Sequence, residues 1–195
     1  CLLSSPGPAS DQFVTLKLYQ LTTAHDLTTD EARYRQVIHG KTAALFEAAA
    51  EVGGVISGAS EDRIAALARY GSGLGMAFQL ADDFLDYGGD AEALGKNTGD
   101  DFREGKVTMP VILAYARGDA EARAFWDRTV GKGDWREEDL PLAMRYVRET
   151  GALADTQTAA RAEIDAATAA LDVFGDSAMR SALRDVTRFV VERES

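Results

Sequence analysis

One stretch, residues 60–87, limits the fold more than any other. It opens with Ser60, Glu61 and Asp62, a hydroxyl followed by two acids, which suits a helix N-terminus. It continues to Tyr87 in mostly apolar and small residues, so the pattern predicts one long helix. Gly71, Gly73 and Gly75 lie inside it. A mid-helix glycine costs up to about 1 kcal/mol relative to alanine, so three of them imply close helix approach or a bend. A chain built around such an element is all-α: alanine is abundant, apolar residues recur at helical spacing, and strand signals are scarce.

Residues 1–10 carry Ser, Pro and Gly and read as irregular, with a short helix or extended piece over 13–21. Thr28 followed by Glu31 resembles a capping box and predicts a helix from there to about residue 52. Residues 88–106, rich in glycine and acid, form a long connection of the kind that serves as a functional lid. A buried helix is expected over 107–118, with shorter amphipathic helices over 120–128, 137–148, 152–171 and 176–192. His25 and His39 have no ligand spacing to each other or to Cys1 and read as structural, and Trp126, Trp135 and Tyr146 as packing residues.

The length of 195 residues suits one domain, and 46% hydrophobic residues suffice for a core. A formal charge of −11 argues against a nucleic-acid phosphate binder. The single cysteine, Cys1, excludes an intrachain disulfide and fits a reducing, cytoplasmic location. No apolar run approaches the roughly 18 to 20 residues of a membrane span, and no signal peptide is visible. The chain starts at Cys1, not Met, which reads as a fragment or a trimmed chain.

"FQLADDFLDY", residues 78–87, places Gln79, Asp82, Asp83 and Asp86 within one helical arc of about 100°. On spacing alone this is an ordinary solvated acidic face. Charge balance argues for more. No basic residue lies between Arg69 and Lys96, and like charges at i and i+4, here Asp82 and Asp86, repel by about 0.2–0.5 kcal/mol. Clustered carboxylates suit a hard cation such as Mg²⁺, which bridges to phosphates. Phosphate also needs cationic donors. Lys41, Lys96 and Lys106 each follow a glycine, and each is equally readable as a surface lysine. "GKT" at 40–42 is no P-loop, because Arg35 stands where that pattern needs glycine. Asp100, Asp101 and Glu104 beside Arg103 and Lys106 read equally as a self-neutralising loop or as metal ligands.

"FQLADDFLDY" followed by "GKNTGDDFREGKVTMP" resembles the second aspartate-rich region of the trans-polyprenyl diphosphate synthases. "QLTTAHDLTTDEARYRQVIHGKTAALFEAAAEVG" is similar to the stretch before it, and "FGDSAMRSALRDVTRFVVERES" to the family's C-terminal end. The long-chain octaprenyl and decaprenyl types are the nearest look-alikes. The resemblance covers residues 20–195 and leaves 1–19 as a non-family extension. It implies an isoprenoid-synthase helical bundle, Mg²⁺, and condensation of isopentenyl diphosphate with an allylic diphosphate. It also implies a homodimer and peripheral membrane contact for product release.

Residue by residue, the resemblance makes Asp82, Asp83 and Asp86 metal-facing and catalytic. Lys41 and Thr42 match a Lys-Thr pair that touches diphosphate. Gln79 matches the glutamine one turn before the acids, Lys96 a diphosphate-binding lysine, and Lys106 a weaker candidate of that kind. The family's first aspartate-rich motif has no counterpart before Asp82, so the chain reads as the C-terminal part of a synthase. The alternative is a non-catalytic, diphosphate-binding partner subunit of a heteromeric synthase. Without the rest of a synthase, apolar segments such as 107–116 are expected to be partly uncovered.

Overall fold

The computed structural model describes residues 24–88 and 98–192. The expected piece over 13–21 and Lys96 lie outside the described residues. The fold is a helical bundle, and no strand occurs among the described residues. Its elements are α1 (Glu31–Ile38), α2 (Ala44–Ile56), α3 (Glu61–Gly88), α4 (Asp100–Arg103), α5 (Met109–Arg117), α6 (Ala120–Trp126), α7 (Leu140–Glu149), α8 (Ala152–Ala170) and α9 (Ala178–Glu192).

The long helix α3 is the axis of the bundle, with α2 packed on one side and α8 on the other. Its glycines make that possible. A Cβ at Gly71 would strike the carbonyl oxygen of Phe46, and one at Gly75 would stand 2.5 Å from Ala43 Cα. On the opposite side, a Cβ at Gly73 would meet Ala167 Cβ at 3.0 Å. Close approach explains the three glycines, and α3 is one unbroken helix from Glu61 to Gly88.

The helix expected from Thr28 divides into α1, a π-helical turn (His39–Ala43) and α2. Its cap is Asp30, whose carboxylate accepts the Arg33 N–H at 2.8 Å. Thr28 instead donates to Asp26 through its backbone N–H and its hydroxyl. A polar side chain at either position suits a cap, and competition between neighbours decides which one serves.

The larger apolar cluster gathers Tyr34, Ile38, Leu80, Phe102, Val111 and Trp126, among others. Phe102, Phe125, Trp126, Trp135 and Tyr146 meet in edge and stacked pairs at 5.2–6.3 Å. A smaller cluster joins α3 to α8 and α9 through Tyr70, Leu74, Ile164, Leu171 and Val190. The expectation that 107–116 would be partly uncovered fails in the main, because Val107, Met109, Val111, Ile112 and Ala114 are all buried. Uncovered apolar side chains lie on α2 instead, where Leu45, Val52, Val55 and Ile56 are 69, 52, 57 and 82% exposed, and on α9, where Met179 and Phe189 are exposed too.

Candidate functional site

The acidic end of α3, the π-turn after α1 and the segment leading into α5 enclose a cavity of about 450 Å³. That volume is typical of small-ligand sites. Lys41, Gln79, Asp82, Asp83, Asp101 and Lys106 all line it. Residues spread over 66 positions of sequence therefore share one chamber.

The π-turn positions the first of them. An extra residue per turn is rare in helices and frequent at functional sites. Here it carries Lys41 and Thr42 beside α3. Thr42 Oγ1 donates to Gln79 Oε1 at 2.8 Å, fixing the turn to the buried glutamine. Lys41 lies exposed on the cavity wall and forms no ion pair among the described residues.

The three aspartates of α3 part company. Asp82 is exposed and lines the cavity. Asp83 is 8% exposed, and its Oδ2 accepts the Tyr34 hydroxyl at 2.5 Å. Asp86 does not line the cavity. Its two oxygens accept the N–H groups of Asp100 and Asp101, each at 3.0 Å, and its carbonyl accepts Gly99 N–H. It anchors the N-terminus of α4, where a carboxylate is favoured. Helical spacing fixed the direction of each aspartate but not what packs over it: α1 covers Asp83 and α4 covers Asp86. Among the described residues, no group of three or more His, Cys, Asp or Glu is set to hold a metal ion. The common arc expected from the spacing therefore brings Asp82 and Asp83, but not Asp86, to the cavity wall.

Lys106 also lines the cavity, but Asp101 and Glu104 hold its ammonium at 2.9 and 2.8 Å. Of the two readings of residues 100–106, the self-neutralising loop is the one formed, with Arg103 paired to Asp100 and Glu137. His25 is structural: its Nδ1 meets the Val130 carbonyl at 2.6 Å, its backbone N–H donates to the Gly105 carbonyl, and its ring fills the space beside Gly105. Tyr34 has no signature of its own in the sequence, because its partner lies 49 residues away. Thr29 and Thr108, also on the cavity wall, carry no such signature either; their hydroxyls are enclosed and make no hydrogen bond among the described residues.

Among the described residues, several carboxyls at this end of α3 are shifted upward. Burial, then the charge of Asp101, pushes the Asp83 carboxyl well above the ordinary range, against the Tyr34 hydrogen bond and Lys41. Burial and Asp101 raise Asp86 to about 6, opposed by the two amides it accepts. Asp101 is raised by burial and by Asp82 and Glu104, with Lys106 opposing. Several carboxyls that each resist ionisation are a mark of functional sites. The donor set fits Mg²⁺, which needs only one or two carboxylates when water and phosphate oxygens complete its shell. Asp82 supplies the exposed carboxylate, with Asp83 and Asp101 behind it.

Comparison with known proteins places this geometry. A family model described as polyprenyl synthetase matches residues 9–147. The octaprenyl diphosphate synthase of Escherichia coli (strain K12) is 39% identical over 178 residues, which is 91% of this chain and 55% of that protein. Among solved structures, a decaprenyl diphosphate synthase from Rhodobacter capsulatus superposes with a TM-score of 0.90 at 50% identity, over 96% of this chain and 57% of that one. A polyprenyl synthase from Caulobacter crescentus, complexed with calcium and isoprenyl diphosphate, gives 0.88 at 44% identity, over 96% and 57%. This chain thus spans a little over half the length of those proteins. No described helix is long and apolar enough to cross a membrane. With the fold, the cavity and the family match in agreement, the chain belongs to the polyprenyl synthetase family.

Proposed function

We propose that the cavity is the diphosphate pocket of a prenyltransferase that condenses isopentenyl diphosphate with an allylic diphosphate, and that it works with Mg²⁺. One observation carries this reading: Lys41, unpaired among the described residues, faces the same cavity as the exposed Asp82. A cation and a carboxylate on the wall of one cavity suit a ligand made of a diphosphate and a metal. The relatives' names, and the calcium and isoprenyl diphosphate in the Caulobacter structure, support the same chemistry.

Lys41 contributes a charge for the phosphate oxygens, and the Thr42–Gln79 pair fixes the turn that presents it. Asp82 holds the metal side, and Asp83 and Asp86 set the walls from which it projects. Lys96, outside the described residues, is a further diphosphate ligand in this reading. Lys106 acts mainly by balancing Asp101 and Glu104. A bound Mg²⁺ supplies electrostatic stabilisation of the departing diphosphate. The segment provides one part of the site, in keeping with its share of its relatives' length.

Titration calorimetry with inorganic pyrophosphate tests the reading. Heat of binding is expected with Mg²⁺ and not without it, and Asp82→Asn is expected to lower affinity more than Glu138→Gln, which lies in a turn away from the cavity. Equal effects, or no heat from a chain shown to be folded, would refute it.

A further inference from the structure

We propose that Tyr34 is a positioning residue for the diphosphate pocket: its hydrogen bond to Asp83 sets where Lys41 stands relative to Asp82. This rests on the function proposed above. Tyr34, Ile38 and Lys41 stand at i, i+4 and i+7, and all three line the cavity. They therefore share one face of α1 and the turn that follows it. Tyr34 and Asp83 are 4 and 8% exposed, and their bond at 2.5 Å joins that face to the acidic end of α3. Thr42 to Gln79 is a second tie, one turn of α3 earlier. Two polar ties at fixed separation define the orientation of the π-turn, and hence of Lys41 between them.

A phenylalanine would fill the same apolar space beside Ile38 as Tyr34 does. What the hydroxyl adds is an aimed donor to Asp83 Oδ2, a short, directional contact. Without it, the face of α1 that leads to Lys41 loses one of its two ties to α3, and Asp83 is a buried carboxyl with one donor fewer.

A double-mutant cycle read by pyrophosphate calorimetry in Mg²⁺ tests this, with the melting temperature of each variant recorded. Tyr34→Phe should remain folded and weaken pyrophosphate binding about tenfold, the scale of one lost buried hydrogen bond. In an Asp83→Ala background the same change should have no further effect, because the acceptor of the Tyr34 hydroxyl is gone. A merely structural role would instead give equal losses in both backgrounds, tracking the melting temperature, and would overturn the inference. Unchanged affinity in Tyr34→Phe would overturn it as well. A wild-type chain that binds no pyrophosphate would overturn the proposed function, and this inference with it; binding by wild type with an additive cycle would overturn the inference alone.

Discussion

Replacing Gly75 with alanine inserts a methyl group where the π-turn already stands. The new Cβ would lie 2.5 Å from Ala43 Cα, 3.1 Å from its Cβ and 3.2 Å from its nitrogen. To reach an ordinary contact of 3.4 Å the closest atom must retreat by about 0.9 Å, the difference of those two distances. The obstacle is backbone, so no rotamer change relieves it. Overpacking of this kind costs about 1–3 kcal/mol, here toward the upper end. Alanine returns about 1 kcal/mol through helix propensity. The net loss is about 2 kcal/mol, or a melting temperature lower by about 4–8 °C for a chain of this size. Gly53→Ala provides the contrast. Gly53 also lies inside a helix, but a Cβ there meets nothing within 4 Å, so only the propensity gain remains, about 0.4–1 kcal/mol. Thermal denaturation followed by helical circular dichroism should move the two variants in opposite directions. A Gly75→Ala chain as stable as wild type would refute the claim that α3 glycines exist for close packing against the Lys41 turn.

The pH response should show the burial of the Asp86 carboxyl. Asp86 titrates near 6, above its ordinary 3.8, so the folded chain holds this proton more tightly than the unfolded chain, and the group disfavours the fold increasingly as pH rises from about 4 through 6. Carboxyl-carbon NMR of the metal-free chain should find a midpoint near 6, and one near 4 would contradict it. The exposed apolar face of α2 should drive self-association of the isolated chain, as large apolar patches do. Light scattering should show smaller species after Val52→Lys with Ile56→Lys, and an unchanged mass would exclude α2 as the contact.

The helices were largely legible from the sequence because their signals are local. Ser60, Glu61 and Asp62 mark the start of α3, and Gly118 follows the last residue of α5. The resemblance selected Lys41, Thr42, Gln79 and Asp82, which the fold brings together around one cavity or onto its supporting turn. Features that depend on distant partners were not legible. The π-turn arises where α1 and α2 must both meet α3, and no residue in "HGKTA" announces it. Periodicity gave Asp82, Asp83 and Asp86 a common arc, yet Tyr34 from 49 residues upstream and the amides of α4 claim two of them. The apolar segment 107–116 was expected to suffer from missing neighbours, but α5 is largely covered by α7, α8 and the aromatic cluster. The uncovered face fell on α2, whose alanines and glycines gave less warning.

Crystals grown with pyrophosphate and Mn²⁺, an anomalous scatterer in place of Mg²⁺, would reveal whether the cavity lined by Lys41 and Asp82 holds a metal and a diphosphate. An anomalous peak is expected beside the Asp82 carboxylate, with pyrophosphate density against Lys41. Density in the groove between α8 and α9, where Arg161, Arg184 and Arg188 offer the competing cationic surface, with none beside Asp82, would contradict it.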